Sequence, residues 1–310
     1  MKKIGLIVGK FYPLHQGHIS MILSAKLMVD QLHIFVCSET DRDEALYQAS
    51  AFTTAPTIED RLNWAKDCLK DIPGIFLYDF NEDGIPSYPN GWEAWSDRLK
   101  SHLKKLNIKP TLIFSSEPQD KIHYEALFQL PVILIDPPRD LCPISATAIR
   151  ENPIENWHFI PTVIRPFFQQ RILIEKEAPL TPSIVTLFEM VEPLDAAQCW
   201  SKIQFIEIEI QKIPTILKQA QKERQSISLT IGSQAFITEV KEHSTHYFNA
   251  PITSYIFSSP TTSSESAMST HISSITREQF REVCQFINHF INTPQIPNKV
   301  PKPKLDMVQE

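Results

Sequence analysis

The sequence predicts an α/β protein: a doubly wound sheet of five parallel strands, followed by a smaller mixed α/β accessory domain. Three observations carry that prediction. Short Ile/Val-rich runs alternate with amphipathic stretches over the first half of the chain, the pattern of buried parallel strands covered by helices. At 310 residues the chain is long for one core and fits two domains. Six of the seven glycines lie at or before Gly91, so close backbone approaches belong to the first half.

Taken in order, Lys3 to Val8 reads as the first strand and Gly17 to Val29 as the first helix. Leu32 to Cys37 and Thr57 to Leu69 form the next strand and helix, and Ile75 to Phe80 and Trp92 to Leu106 the third pair. Leu112 to Phe114 and Val132 to Ile135 complete the five strands, with a helix near Gln119 to Phe128 between them. Beyond residue 168, the run at Arg171 opens like a strand. Lys202 to Ile210 and Ser226 to Val240 are strand-like around a helix from Ile216 to Arg224, and Thr276 to Ile291 shows an apolar face at helical spacing. A Ser/Thr-rich run covers Ser258 to Thr276, and a Pro/Lys tail from Pro294 to Lys304 reads as disordered. The domain boundaries are therefore set at 1–168, 169–292 and 293–310.

Composition narrows the classes of function. Hydrophobic content of 42% with 21% charged residues describes an ordinary soluble globular protein. A net charge of -6 argues against a nucleic-acid partner, which usually calls for a basic excess. No run approaches the ~20 apolar residues of a membrane span, and the apolar stretch after Lys3 stops at Lys10, short of a signal peptide. Five scattered cysteines without a CxxC pair argue against a disulfide framework or zinc site and for a reducing, cytoplasmic setting. His243, His246, His271 and His289 show no ligand spacing, so no protein-held metal is expected. Self-association into a homo-oligomer is left open.

In a doubly wound sheet, ligands gather at the carboxyl ends of the strands where the strand order reverses. After the first strand the chain reads Gly9-Lys10-Phe11-Tyr12-Pro13-Leu14-His15-Gln16-Gly17-His18, and a helix follows. Gly9 permits a tight turn, Pro13 fixes the loop and Gly17 admits a phosphate to the helix start, whose free N–H groups and dipole favour anions. Lys10, His15 and His18 add cationic or donor groups at the same point. Gly5 to Phe11 only imitates a P-loop, because it has three residues between its glycines and Phe after the lysine. A second cluster, Ile144-Ser145-Ala146-Thr147-Ala148-Ile149-Arg150, follows the fifth strand. There Ser145 is placed to cap a helix, and Thr147 and Arg150 to reach anionic oxygens.

At these residues the chain resembles the HxGH nucleotidyltransferase superfamily. Within it, the similarity is greatest to the adenylyltransferase half of bacterial bifunctional NMN adenylyltransferase/ribosylnicotinamide kinases. The segments GKFYPLHQGH, EDGIPSYPNGWEAW, FSSEPQD, ISATAIR, WHFIP and RPFF carry the resemblance, from residue 3 to about 168. It implies a Rossmann-like core that makes NAD from ATP and nicotinamide mononucleotide (NMN), with Mg2+ carried by ATP. His15 and His18 would contact the ATP phosphates with Lys10 as the third catalytic group. Gly9, Phe11, Gly17, Ser145, Thr147 and Arg150 would complete the ATP site. Trp92 and Trp95 would face the nicotinamide nucleotide, where an indole can stack on a cationic ring. Arg42 and Arg61 are candidates for its phosphate, and Ser116 and Glu117 would shape the pocket.

The chemistry so implied needs alignment of two polyanions and neutralisation of the departing pyrophosphate. It needs no covalent intermediate and no general base, since the attacking 5′-phosphate is largely ionised at neutral pH. The family's kinase half would open with a strand and a glycine-rich P-loop. Here Arg171 to Ser183 (RILIEKEAPLTPS) has no glycine and no GKS, so P-loop kinase activity is expected to be absent. The alternative readings are a different phosphorylated acceptor on the same core, and a nucleotide or NAD sensor without turnover.

Overall fold

The computed structural model describes residues 2–87, 89–178, 181–190, 203–248, 252–256, 281–283 and 285–287. The chain divides into two compact units. The first comprises Met1–Ser50 with Pro56–Ile164, and the second Ala51–Ala55 with the chain from Arg165 onward.

In the first unit, β1 (Ile4–Gly9), β2 (Gln31–Ser38), β3 (Ile75–Asn81), β4 (Leu112–Ser115) and β5 (Val132–Leu134) form one sheet in the order β3-β2-β1-β4-β5. Every pairing is parallel. The strands match the expected ones to within a residue or two. The helices are α1 (Gln16–Lys26), α2 (Thr40–Gln48), α3 (Ile58–Leu69), α4 (Trp92–Lys105), α5 (Pro118–Phe128) and α6 (Ala146–Glu151). Helix α2 has no counterpart in the sequence reading, because its segment TDRDEALYQ is too polar to show an apolar face. It forms because the Glu39 side chain accepts hydrogen bonds from the backbone N–H groups of Asp41 and Arg42. Thr57 and Asp60 close a capping box on α3.

The core on one face of this sheet joins Leu6, Phe35, Phe80 and Ile113 to Leu99 and Leu103 of α4 and Tyr124 of α5. Because α4 and α5 are packed there, the tryptophans at the start of α4 are held beside the carboxyl ends of the strands. The strand order reverses across β1 and β4, so the crevice at their carboxyl ends is the expected ligand position.

In the second unit, after the short helix α7 (Arg165–Phe168), β6 (Gln170–Glu175), β7 (Ile203–Ile208), β8 (Leu229–Gly232) and β9 (Thr253–Ile256) form a parallel sheet in the order β7-β6-β8-β9. Helices α8 (Thr181–Met190), α9 (Ile213–Lys222) and α10 (Gln234–Ser244) accompany it. Its core gathers Leu173, Ile213, Leu217, Phe236, Ile237 and Val240. One expectation is corrected: Ser226 to Val240 is not one strand. Strand β8 is four residues long, and Ser233 then starts α10 by accepting a hydrogen bond from the Phe236 N–H.

The end of β6 is built around a carboxylate. Glu175 accepts from the Ser233 backbone N–H at 2.6 Å and from its hydroxyl at 3.1 Å, while the Thr181 hydroxyl donates to the Glu175 carbonyl. Of the expected helix Thr276 to Ile291, residues 281–283 and 285–287 are helical, with Val283 and Ile287 buried one turn apart. The Ser/Thr-rich run and the Pro/Lys tail lie outside the described residues.

Candidate active site

The loop after β1 delivers its side chains by local geometry. Phe11, not a glycine, takes the left-handed conformation that turns the chain, at φ 47°. Its ring packs edge-on against His18, with centroids 4.9 Å apart. His15 caps α1, its Nδ1 accepting from the His18 N–H at 3.3 Å. The two imidazoles stack, with centroids 3.7 Å apart and planes 24° from parallel. Gly17 leaves room for the His15 ring, against which a Cβ would press at 3.1 Å.

The sequence left the histidines as cationic or donor groups, and the electrostatics favour the donor. Burial, reinforced by the Arg139 guanidinium, lowers His15 to about 3. Burial, the neighbouring His15 and Arg139 hold His18 well below its ordinary value. Both imidazoles are therefore neutral near pH 7 and can offer an N–H group but no charge. The Nδ1 of His18 is buried and has no hydrogen-bond partner among the described residues.

The second cluster closes on the first. Ser145 caps α6, accepting from the Ala148 N–H at 3.1 Å. Arg150 donates to the Tyr12 carbonyl at 2.8 Å and to the Thr147 hydroxyl at 2.8 Å. The expected residues of the two motifs, 138 positions apart, are thus brought together by hydrogen bonding.

A cavity of about 500 Å³ opens at the carboxyl ends of β1, β2 and β3. Gly9, Lys10, Arg42, Trp92 and Trp95 line it as expected, and Glu39, Glu82, Asp120 and Tyr124 join them. The aromatic side is layered: Trp92 stacks on His123 at 4.4 Å and meets Trp95 nearly at right angles at 5.7 Å. Gly91 gives α4 its start, because a Cβ there would fall 1.9 Å from the Pro86 carbonyl oxygen. The carboxyl of Asp120 is raised, by burial first and by Glu117 second.

Arg61 is the residue the structure places elsewhere. It is 1% exposed, does not line the cavity, and sits over the Tyr12 ring. Its guanidinium donates to the carbonyls of Lys10 (2.8 Å) and Cys37 (2.7 Å) and pairs with Asp43 at 2.5 Å. Instead of waiting for a phosphate, it ties the ends of β1 and β2 together. Arg42 faces the cavity, but its guanidinium is engaged by Asp43 and Glu82. Glu117, which reading the sequence assigned to pocket shape, pairs with Arg139 at 3.1 Å.

Glu39, Glu82, Asp120 and Arg139 were not singled out from the sequence. Glu82 and Asp120 lie within the segments EDGIPSYPNGWEAW and FSSEPQD. That nearness was the available signal, but it could not say which acidic side chain faces inward.

A five-stranded 3-2-1-4-5 sheet with HxGH at the first helix and ISATAIR at the last defines the class of the first unit. Residues 6–152 match the cytidylyltransferase-like family model, in agreement with the resemblance to the HxGH nucleotidyltransferase superfamily. More particularly, the chain is 42% identical over 173 residues to the trifunctional NAD biosynthesis/regulator protein NadR of Escherichia coli (strain K12). It is 40% identical over 173 residues to the protein of that name from Salmonella typhimurium (strain LT2). Each match takes in 56% of this chain but only 42% of the relative's length. Among solved structures, a NadR protein in complex with NR is similar over 97% of this chain and 98% of its own, at TM-score 0.66 and 18% identity. A NadR protein in complex with NAD and AMP-PNP is similar over 79% of this chain and 88% of its own, at TM-score 0.58 and 20% identity. At such identities these structures establish a shared fold. No helix among the described residues is long and apolar enough to cross a membrane.

Proposed function

We propose that the first unit is a nicotinamide-nucleotide adenylyltransferase, joining AMP from ATP to NMN to give NAD and pyrophosphate. A 5′-phosphate oxygen of NMN forms the bond to the α-phosphorus while the bond from that phosphorus to the α,β-bridging oxygen breaks. Pyrophosphate leaves in line with the attack. The observation that carries this reading is the junction of the two motifs, in which Arg150 of α6 bonds the Tyr12 carbonyl beside the stacked pair His15 and His18.

Neutral imidazole donors, Lys10, Thr147 and Arg150 supply hydrogen bonds and charge where negative charge accumulates on the leaving oxygens. Among the described residues no cluster of three or more His, Cys, Asp or Glu side chains could hold a metal ion. Mg2+ is proposed to arrive on the triphosphate, neutralising phosphate charge, with the chain's donors taking the remaining oxygens.

The neighbouring cavity matches the acceptor by chemistry. Indole and phenol faces of Trp92, Trp95 and Tyr124, with the carboxyl groups of Glu39 and Asp120, suit the cationic pyridinium of NMN. Deamidated NMN carries an extra carboxylate into that acidic surround, where like charges repel. Its kcat/KM should be lower by at least about tenfold, or ~1.4 kcal/mol. Side-by-side steady-state kinetics checks this, and equal efficiencies would remove the acidic cavity from the account of specificity.

The second unit is proposed to lack P-loop kinase activity. At the end of β6, the Glu175 carboxylate occupies Ser233, and no glycine lies between Gly91 and Gly232 to cradle a phosphate. Incubation with ATP and ribosylnicotinamide should yield neither NMN nor NAD by chromatography. Either product above a protein-free control would contradict the proposal.

A further inference from the structure

We propose that Glu82 is a positioning residue for the acceptor, holding the Trp95 indole and the Arg42 guanidinium in place with one carboxylate. The inference rests on the adenylyltransferase reading above and concerns the same cavity. Glu82 follows β3 directly, and its backbone N–H donates to the Ser38 carbonyl at the end of β2 at 2.7 Å. That bond prolongs the ladder by one residue and aims the side chain along the strand ends. Its two oxygens are divided between two partners. Oε1 accepts from the Trp95 indole Nε1 at 2.7 Å, and Oε2 accepts from Arg42 Nη1. The side chain is only 12% exposed, so both are charge-assisted bonds shielded from water.

Arg42 is fixed in turn from its other side. Its Nε and Nη2 donate to one oxygen of Asp43, at 3.2 Å and 3.1 Å. The second oxygen of Asp43 holds Arg61, which reaches the Lys10 and Cys37 carbonyls. A line of paired charges therefore runs from the indole of Trp95 through Glu82, Arg42, Asp43 and Arg61 to the backbone of the β1 loop. Glu82, Arg42, Trp95 and Lys10 all line the cavity, so the line binds its aromatic wall to the loop expected to hold ATP.

The physical consequence concerns orientation. Trp95 meets Phe80 and Trp92 edge-on, at 6.1 Å and 5.7 Å. Edge contacts alone constrain the orientation of an indole only weakly. The directed bond from its N–H to Glu82 selects one orientation of the indole. Glu82 likewise cancels the Arg42 charge inside the cavity, which keeps that guanidinium from drawing phosphate oxygens to the wrong end. Both effects act on the acceptor and leave the ATP motifs at His15, His18 and Arg150 alone.

The test compares wild type with Glu82→Gln, Glu82→Ala and Trp95→Phe. Titration calorimetry would measure NMN and ATP affinities separately, and NMR would follow the Trp95 indole N–H, assigned by its loss in Trp95→Phe. Glu82→Gln keeps an acceptor for the indole but releases Arg42, whereas Glu82→Ala removes both. We expect NMN binding weaker by about tenfold in Glu82→Gln and about a hundredfold in Glu82→Ala, with ATP affinity within about twofold. The indole resonance should move strongly in Glu82→Ala and little in Glu82→Gln, and KM for NMN should rise more than kcat falls. Trp95→Phe, which leaves Arg42 paired, should share part of the NMN loss even if Glu82→Ala fails to fold.

Unchanged NMN affinity in Glu82→Gln and Trp95→Phe would overturn the proposal while leaving the adenylyltransferase reading standing. An equal fall in NMN and ATP affinities would assign Glu82 to general scaffolding and overturn it too. Wild-type protein that binds ATP but not NMN would overturn the acceptor reading itself, and this proposal with it.

Discussion

His18→Ala should lower kcat for NAD formation by about 10²–10³, equivalent to roughly 3–4 kcal/mol, with little change in ATP affinity. The imidazole is neutral and half-buried, stacked on His15 and braced edge-on by Phe11. Its orientation is therefore set before any substrate arrives. A donor prepared in this way costs no reorganisation as charge builds on the leaving pyrophosphate, and a half-buried donor is worth more than one in water. Alanine removes the donor without disturbing the cap, because the His18 backbone N–H still donates to His15. Steady-state rates of the two proteins over a range of ATP concentrations decide the matter. A His18→Ala protein with wild-type kcat would remove this imidazole from the chemistry.

Arg61→Met should destabilise the protein by about 3–5 kcal/mol, the largest expected effect on folding. The guanidinium is almost wholly buried and holds Asp43 together with the Lys10 and Cys37 carbonyls. Methionine approximates its length but leaves one oxygen of Asp43, whose other oxygen Arg42 still holds, and two carbonyls without their donor. Arg61→Lys should rescue little, since one ammonium cannot reproduce the forked geometry that serves three acceptors at once. Urea denaturation followed by circular dichroism reads the effect directly. A midpoint within error of wild type would mean that the ends of β1 and β2 are held by something other than Arg61.

The first sheet was legible because parallel strands buried on both faces write near-continuous apolar runs, such as Leu32 to Cys37, into the sequence. The two motifs proposed to face phosphate were legible because each is local: His15 to His18 spans one helical turn, and Ser145 to Arg150 little more. The ion-pair line from Glu82 to Arg61 was not, since its members are scattered from α2 to the end of β3 and only folding adds their charges together. For that reason Arg61 resembled a surface cation available to phosphate, while it is a buried tie. The charge state of His15 and His18 was hidden too, being set by burial and by Arg139, a residue 124 positions after His15. In the second unit, Ser226 to Val240 looked like one strand because its apolar residues are frequent throughout. The Ser233 cap decides where strand becomes helix.

The most direct test of the central claim is to supply the protein with Mg2+, NMN and ATP labelled at the α-phosphate, and to follow the label. The account predicts one labelled NAD for each unlabelled pyrophosphate released, in wild type and not in His18→Ala. ATP binding without labelled NAD, or label retained in AMP or ADP, would contradict it.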